Sequence, residues 1–199
     1  MKRGRNKEKV CGVGITDAVA VDSNGNQLKS YRRWLAILER CYVRNLPDYQ
    51  NVTVSNDWLY YSNFKKWFDA NITNDGLVID KDLIGGGVYS PSNCVAMTNR
   101  LNQKLKKASG VTPLRSKKPH SAKWRSSCEW TRNNGEKIVK SKSFNKKEDA
   151  LNWYQLQKQS FIFKQIEDDE AQGLISSSHA VRLVKLIGMR GLITDAEAL

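Results

Sequence analysis

The sequence predicts an α+β protein, and three observations predict it. Apolar residues recur at helical spacing over 30–45, 56–71 and 145–166. Short runs with strand-like alternation or β-branching lie at 77–80, 94–98, 123–130 and 137–144. An Asn-Asn-Gly turn at 133–135 joins the last two runs as a hairpin. The expected order is helices, then two strands and a helix, then a hairpin with a long helix, then a helical tail.

The elements follow in chain order. MKRGRNKEK (1–9) has five bases and one acid with no apolar segment after it, so it reads as a flexible basic arm and not a secretory leader. VCGVGITDAVAVD (10–22) alternates as a strand does, and SNGN (23–26) is a turn. SYRRWLAILERCYVRN (30–45) puts Tyr31, Trp34, Leu35, Ile37, Leu38, Cys41 and Tyr42 at helical spacing, with Ser30 as its N-cap. LPDYQ is a loop and NVTVS (51–55) a short strand. NDWLYYSNFKKWFDAN (56–71) is a second helix that packs through Trp58, Leu59, Phe64, Trp67 and Phe68 and turns Lys65 and Lys66 outward.

LVID (77–80) is a strand, the glycines at 85–87 a tight bend, and CVAMT (94–98) a strand. Residues 98–108 form a helix capped by Thr98, with cations in its last turn. The Pro-, Ser- and Lys-rich run 109–121 marks a domain boundary. The hairpin strands are KWRSSCEW (123–130) and KIVKSKSF (137–144). The helix 145–166 has Asn145 as cap and Glu148 at its third position. SSSHAVRLVKLIGM (176–189) is a short amphipathic helix.

Composition narrows the function. The 199 residues carry a formal charge of +13, which calls for a polyanionic partner. No run of eighteen apolar residues exists, so no membrane span is expected. Cys11, Cys41, Cys94 and Cys128 are widely and irregularly spaced, which argues against a zinc site and against a disulfide framework. They read as reduced thiols of a cytoplasmic protein. With only His120 and His179, no histidine-based triad can be assembled. The charge is also unevenly placed. Residues 97–149 hold fifteen Lys and Arg against four acids, while 165–199 hold three bases and six acids. Aromatic residues are interleaved with the basic stretch, as a nucleic-acid surface requires.

IDKDLIGGGVYSPSNCVAMTNRLN (79–102) carries the chemistry. It sets Asp80, Lys81 and Asp82 at a strand end, Asn93 in a turn after the bend, and Asn102 on the following helix. Over 77–108 this resembles the ββα-metal core of HNH nucleases. The resemblance implies that Asp80 and Asn102 bind one divalent ion and that Asn93 fixes the geometry. Oxygen donors of this kind suit Mg²⁺ or Mn²⁺. Lys81 stands where that family has its histidine base. It acts as a base only when deprotonated; otherwise it clamps the phosphate, with Asp82 or solvent taking the proton. The block YRRWLAILERCY to VYSPSNCVAM resembles the short HNH-like proteins of tailed bacteriophages, several of which also have Lys between two Asp residues. This likeness covers roughly residues 10–165.

KWRSSCEW, NNG, EKIVKSKSF and EDALNWYQ resemble the apetala/ethylene-response-factor type of DNA-binding domain. That likeness implies a three-stranded antiparallel sheet backed by one helix, its strands in the DNA major groove. The family's first strand falls on VTPLRSKKPH, which departs from the family's pattern in its two prolines, at the sheet's edge. The expected DNA-facing residues are Arg115, Lys123, Arg125, Trp130, Lys140 and Lys142. Alternation puts Lys123, Arg125 and Ser127 on one face, and Trp124 and Ser126 on the other. Phe144, Ala150, Leu151 and Trp153 hold helix to sheet.

The expectation is therefore an HNH-like endonuclease of the phage homing type, which cuts double-stranded DNA with one Mg²⁺ or Mn²⁺ and needs no small-molecule cofactor. The expected parts are the arm 1–9, a nuclease domain 10–108 with core 77–108, a DNA-binding domain 109–164 and a helical tail 165–199. Two alternatives share the basic surface: a DNA-binding protein that no longer cuts, and an RNA-binding or phage–host interaction protein.

Overall fold

The computed structural model describes residues 9–106, 110–115 and 122–189. Most of the arm, residues 1–8, therefore lies outside the described residues. The architecture is α+β, with five helices, a small three-stranded antiparallel sheet packed on a helix, and a C-terminal helical tail. The helices are α1 (Lys29–Tyr42), α2 (Tyr61–Asn71), α3 (Asn99–Leu105), α4 (Lys147–Ala171) and α5 (Ser177–Met189). The strands are β1 (Thr53–Val54), β2 (Leu77–Asp80), β3 (Val88–Tyr89), β4 (Val95–Thr98), β5 (Val111–Pro113), β6 (Trp124–Thr131) and β7 (Lys137–Phe144). They form three sheets, β1–β3, β2–β4 and β5–β6–β7. Among the described residues no helix is long and apolar enough to cross a membrane.

The chain divides into two compact units. One holds the described residues up to Asp75 together with Ile79–Ala96; the other holds Gly76–Val78 and the chain from Met97 onward. This division differs from the expected boundary after residue 108, because α3 belongs with the second unit. The expected boundary at 164/165 falls inside α4, which runs on to Ala171.

In the first unit α1 packs on α2. Trp34, Leu38, Trp58, Tyr61 and Phe64 are fully buried there. Burial of side chains of this size stabilises the fold by about 1.5–3 kcal/mol each. Two of the polar tips are satisfied: Trp34 Nε1 donates to Trp58 O at 2.7 Å, and Ser30 Oγ meets the Tyr61 hydroxyl at 2.7 Å, whereas the indole N–H of Trp58 is buried with no hydrogen-bond partner among the described residues. Ser30 is thus a buried core residue one position inside α1, not its cap; Leu28 stands at the N-cap without a side-chain bond. Residues 10–22 do not form the expected strand. They make isolated bridges, of which Ile15 to Tyr60 matters most. Ile15 N donates to Leu59 O at 2.8 Å and Ile15 O accepts from Tyr61 N at 3.0 Å. That bridge holds Tyr60 extended, so the expected helix 56–71 becomes a short 3-10 turn (Asn56–Leu59) followed by α2. Asp17 then caps α2, accepting from Ser62 N at 2.8 Å and from Ser62 Oγ at 2.6 Å. The parallel pair β1–β3 sets Thr53 against Val88 and Val54 against Tyr89.

In the second unit β6 is central and β5, ending at Pro113, is an edge strand, where a residue without an N–H is tolerated. The hairpin turn closes through Arg132 N to Glu136 O at 2.8 Å and Gly135 N to Arg132 O at 3.0 Å. Along β6, Ser126, Cys128 and Trp130 are buried, and α4 packs on this sheet. The Trp130 ring stacks on Phe161 of α4 with centroids 5.8 Å apart. Ala150 is fully buried, and Phe144 meets Trp153 at 6.1 Å. Thr98 caps α3 by accepting from Leu101 N at 3.2 Å. The expected box of Asn145 and Glu148 does not form: Lys146 is at the N-cap of α4 and makes no side-chain bond. α5 packs on α4.

Candidate functional site

The loop that follows β2 is built by its own backbone. Gly85 and Gly86 have φ of 101° and 95°, a region that L side chains rarely adopt, so the glycines permit the bend. Asp80 at the end of β2 is buried. Its Oδ2 accepts from Leu83 N at 2.6 Å and from Asp82 N at 3.0 Å, which curls the chain back immediately after the strand. Asn93 sits across the bend. Its Nδ2 donates to Val88 O at 2.7 Å and to Lys81 O at 3.2 Å. One carboxamide therefore ties both limbs of the loop, one bond landing on the residue next to Asp80. Asn93 is itself held by a turn in which its N–H donates to Ser90 Oγ at 3.1 Å.

Electrostatics set Asp80 apart. Burial pushes its carboxyl above the usual carboxylate range, and the Asp82 charge adds to this, against the pull of the Leu83 and Asp82 amides. The buried Cys94 thiol is pushed up to about 12, chiefly by burial. A hard cation beside Asp80 would reverse the burial penalty on its charge.

Lys81 turns inward, with its side chain 11% exposed. Its Nζ donates to Asp82 Oδ1 at 2.5 Å and lies over the rings of Tyr49 and Tyr89, 5.7 and 5.9 Å from their centroids. These are contacts of a cation. Asp82 is exposed. Sequence reasoning missed Tyr49 and Tyr89. No spacing signal points to them, because only the β1–β3 register and the turn Pro47–Tyr49 bring them to Lys81.

The structure thus brings Asp80, Lys81, Asp82 and Asn93 into one loop of the first unit. Asn102, the other expected metal ligand, is half-buried on α3 and belongs to the second unit. Among the described residues no group of three or more His, Cys, Asp or Glu side chains converges to hold a metal. A magnesium site does not require such a group, since Mg²⁺ keeps several waters and takes one or two carboxylates. Asp80, a buried carboxylate with no ammonium bonded to it among the described residues, fits that donor chemistry.

The basic module in the second unit redistributes the expected DNA-facing residues. In an antiparallel pair, residues directly opposite share a face. Arg125 stands opposite Ser143 on one side and Thr112 on the other, and Ser127 opposite Ser141. These form the open face, with Lys123 and Arg115 exposed beside it in the chain. Lys142 stands opposite buried Ser126, and Lys140 opposite buried Cys128. Both lysines therefore lie on the α4 side and not with Arg125. Lys140 Nζ confirms this by donating to Gln157 Oε1 of α4 at 2.8 Å. Trp130, also expected to face DNA, is 2% exposed and donates through Nε1 to Gln165 Oε1 at 3.2 Å. It is a core residue. Its even-numbered position puts it on the face of Ser126, which alternation shows, but only the packing of α4 makes that face the covered one.

No family model, curated protein or solved structure matches the chain.

Proposed function

We propose that the chain is a metal-dependent endonuclease of the HNH-like type that cuts double-stranded DNA. The observation that carries this reading is the loop after β2, in which a buried carboxylate, Asp80, is braced by two backbone amides while Asn93 ties the loop's two limbs. Such bracing fixes a single anionic oxygen donor at a strand end, which is what positioning a hard cation requires. The basic charge of residues 97–149 supports DNA as the substrate.

Asp80 would hold the ion. A bound Mg²⁺ or Mn²⁺ supplies charge to the leaving oxygen and acidifies a water. Asn93 keeps the loop in place and touches neither ion nor phosphate in this role. Lys81 is bound as a cation by Asp82 and two tyrosine rings, which supports a part in neutralising phosphate charge over a part as base. Exposed Asp82 or solvent then takes the proton from water. Arg125 and its polar neighbours on the open face of the sheet would meet the duplex.

A second reading has its own observation. The Lys81 ammonium is tied by Asp82 and half-enclosed by aromatic rings, an arrangement that also suits a structural lysine in a DNA-binding scaffold that does not cut. Incubation of the full chain with plasmid DNA and Mg²⁺ or Mn²⁺ separates the two. Cleavage abolished by Asp80→Asn supports the nuclease. Tight, salt-sensitive binding with no cleavage under either ion supports the scaffold.

A further inference from the structure

In the second unit the end of α3 meets β6 and α4 around a cavity of about 190 Å³. Three lysines line it, Lys104 and Lys106 from the α3 end and Lys158 from α4, together with Gln103, Ser127 and Tyr154. Two of the ammonium groups are anchored on backbone carbonyls. Lys104 Nζ donates to Glu129 O at 2.6 Å, and Lys158 Nζ donates to Lys106 O at 2.7 Å. An ammonium has three donors, so each anchor leaves two for a ligand. Among the described residues no carboxylate forms an ion pair with any of the three lysines. Glu129 also borders the cavity, but its carboxylate pairs with Lys137 at 2.9 Å.

The arrangement is costly by itself. Burial pushes the Lys158 ammonium below its ordinary value, and the Lys104 charge pushes the same way. Both charges act on the buried Cys128 thiol of the cavity's lining, which burial nonetheless pushes above its ordinary value. The Glu129 carboxylate at the cavity's border feels the Lys104 charge but is ion-paired with Lys137, so the cations here, with like charges in mutual reach, hold no carboxylate in an ion pair of their own among the described residues.

We propose that this cavity is a phosphate-binding site, with the Lys104 and Lys158 ammonium groups gripping a phosphate group and Gln103, Ser127 and Tyr154 offering further polar contacts. The phosphate comes from a nucleic-acid backbone or from a free phosphate or phosphomonoester; the recognising chemistry is the same. The proposal holds whether or not the chain cuts DNA, and no residue of the Asp80 loop takes part in it.

Calorimetric titration of the full chain with inorganic phosphate, at ionic strength fixed with chloride, tests the site. The expected result is saturable binding that weakens about tenfold or more in Lys158→Gln and likewise in Lys104→Gln, with circular dichroism unchanged. The two variants probe the pocket from different elements, so misfolding of one leaves the other to decide. No saturable binding to the unaltered chain, or unchanged binding by a folded variant, overturns the proposal. A short duplex without terminal phosphates that displaces bound phosphate identifies the backbone as the source. Binding undisturbed by saturating duplex identifies a free phosphate or phosphomonoester. Either of these last results supports the site.

Discussion

Asp80→Asn separates the chemistry of the first unit from its architecture. The two bonds from Leu83 N and Asp82 N at 2.6 and 3.0 Å need an acceptor oxygen, and a carboxamide has one. The loop geometry should survive. The charge is a different matter. Burial raises the Asp80 carboxyl above its unfolded value. A group whose folded pKa is raised contributes stability below the unfolded pKa and loses it as pH rises through the folded pKa. At pH 7 the ionised carboxylate is therefore a net burden without a cation, and Asn removes it. Urea denaturation should find Asp80→Asn no less stable than the parent at pH 7. Its advantage should shrink as pH falls through the raised folded pKa, where the parent's own carboxyl becomes neutral. Asp80→Ala forfeits both bonds, one of them to the buried Leu83 amide, and should cost about 1–3 kcal/mol. In metal titrations Asp80→Asn should lose affinity for Mn²⁺, and cleavage should fall by a factor of about 100 or more. Because Mn²⁺ relieves a buried charge, it should stabilise the parent and not the variant. A variant less stable than the parent at pH 7 by more than about 1 kcal/mol would refute the burial argument. Cleavage at the parent rate would refute the site.

Four further predictions concern the second unit. Gly110→Ala places a Cβ 1.9 Å from Ser127 O and 2.5 Å from the Tyr154 ring, so thermal or urea unfolding should show a loss of about 1–3 kcal/mol or more, with DNA affinity lost only through unfolding. Trp130→Phe leaves Gln165 Oε1 without its 3.2 Å donor in a buried setting and should cost about 1–3 kcal/mol, while the folded fraction still binds DNA as the parent does. Arg125→Ala should weaken duplex binding about tenfold and, where it meets a phosphate, reduce the slope of log affinity against log salt by about one. Lys140→Ala should do less than Arg125→Ala, because Lys140 is on the α4 side bonded to Gln157; the opposite ranking in a salt-series binding assay would reassign the DNA face to that side.

Much of the Asp80 loop was legible because its cues are local. An Asp at a strand end, paired glycines, and a Pro-Ser-Asn turn each restrict the backbone within a few residues, and the resemblance to the HNH core, whose spacing they suit, brought Asp80 and Asn93 into one reading. The failures have a common cause. Residues 10–22 alternate like a strand, yet their N–H and C=O groups find a partner at only a few points, so they make bridges. Ser30 looks like a cap from its sequence neighbours, but the Tyr61 hydroxyl, 31 residues away, claims it. Tyr60 lies in a helical pattern, but Ile15 holds it extended.

By itself the sequence determined the helix and strand periods, the hairpin turn, the bend glycines and the uneven charge, because each is set by sterics and hydrophobicity over a few residues. Only the tertiary structure decided what each side chain faces. The β6–β7 register moved Lys140 and Lys142 to the helix side of the sheet, α4 buried Trp130, and the β1–β3 pair carried Tyr89 to the Lys81 ammonium. Register and packing are contacts between segments distant in the chain, and strand alternation says which residues share a face but not which face is covered.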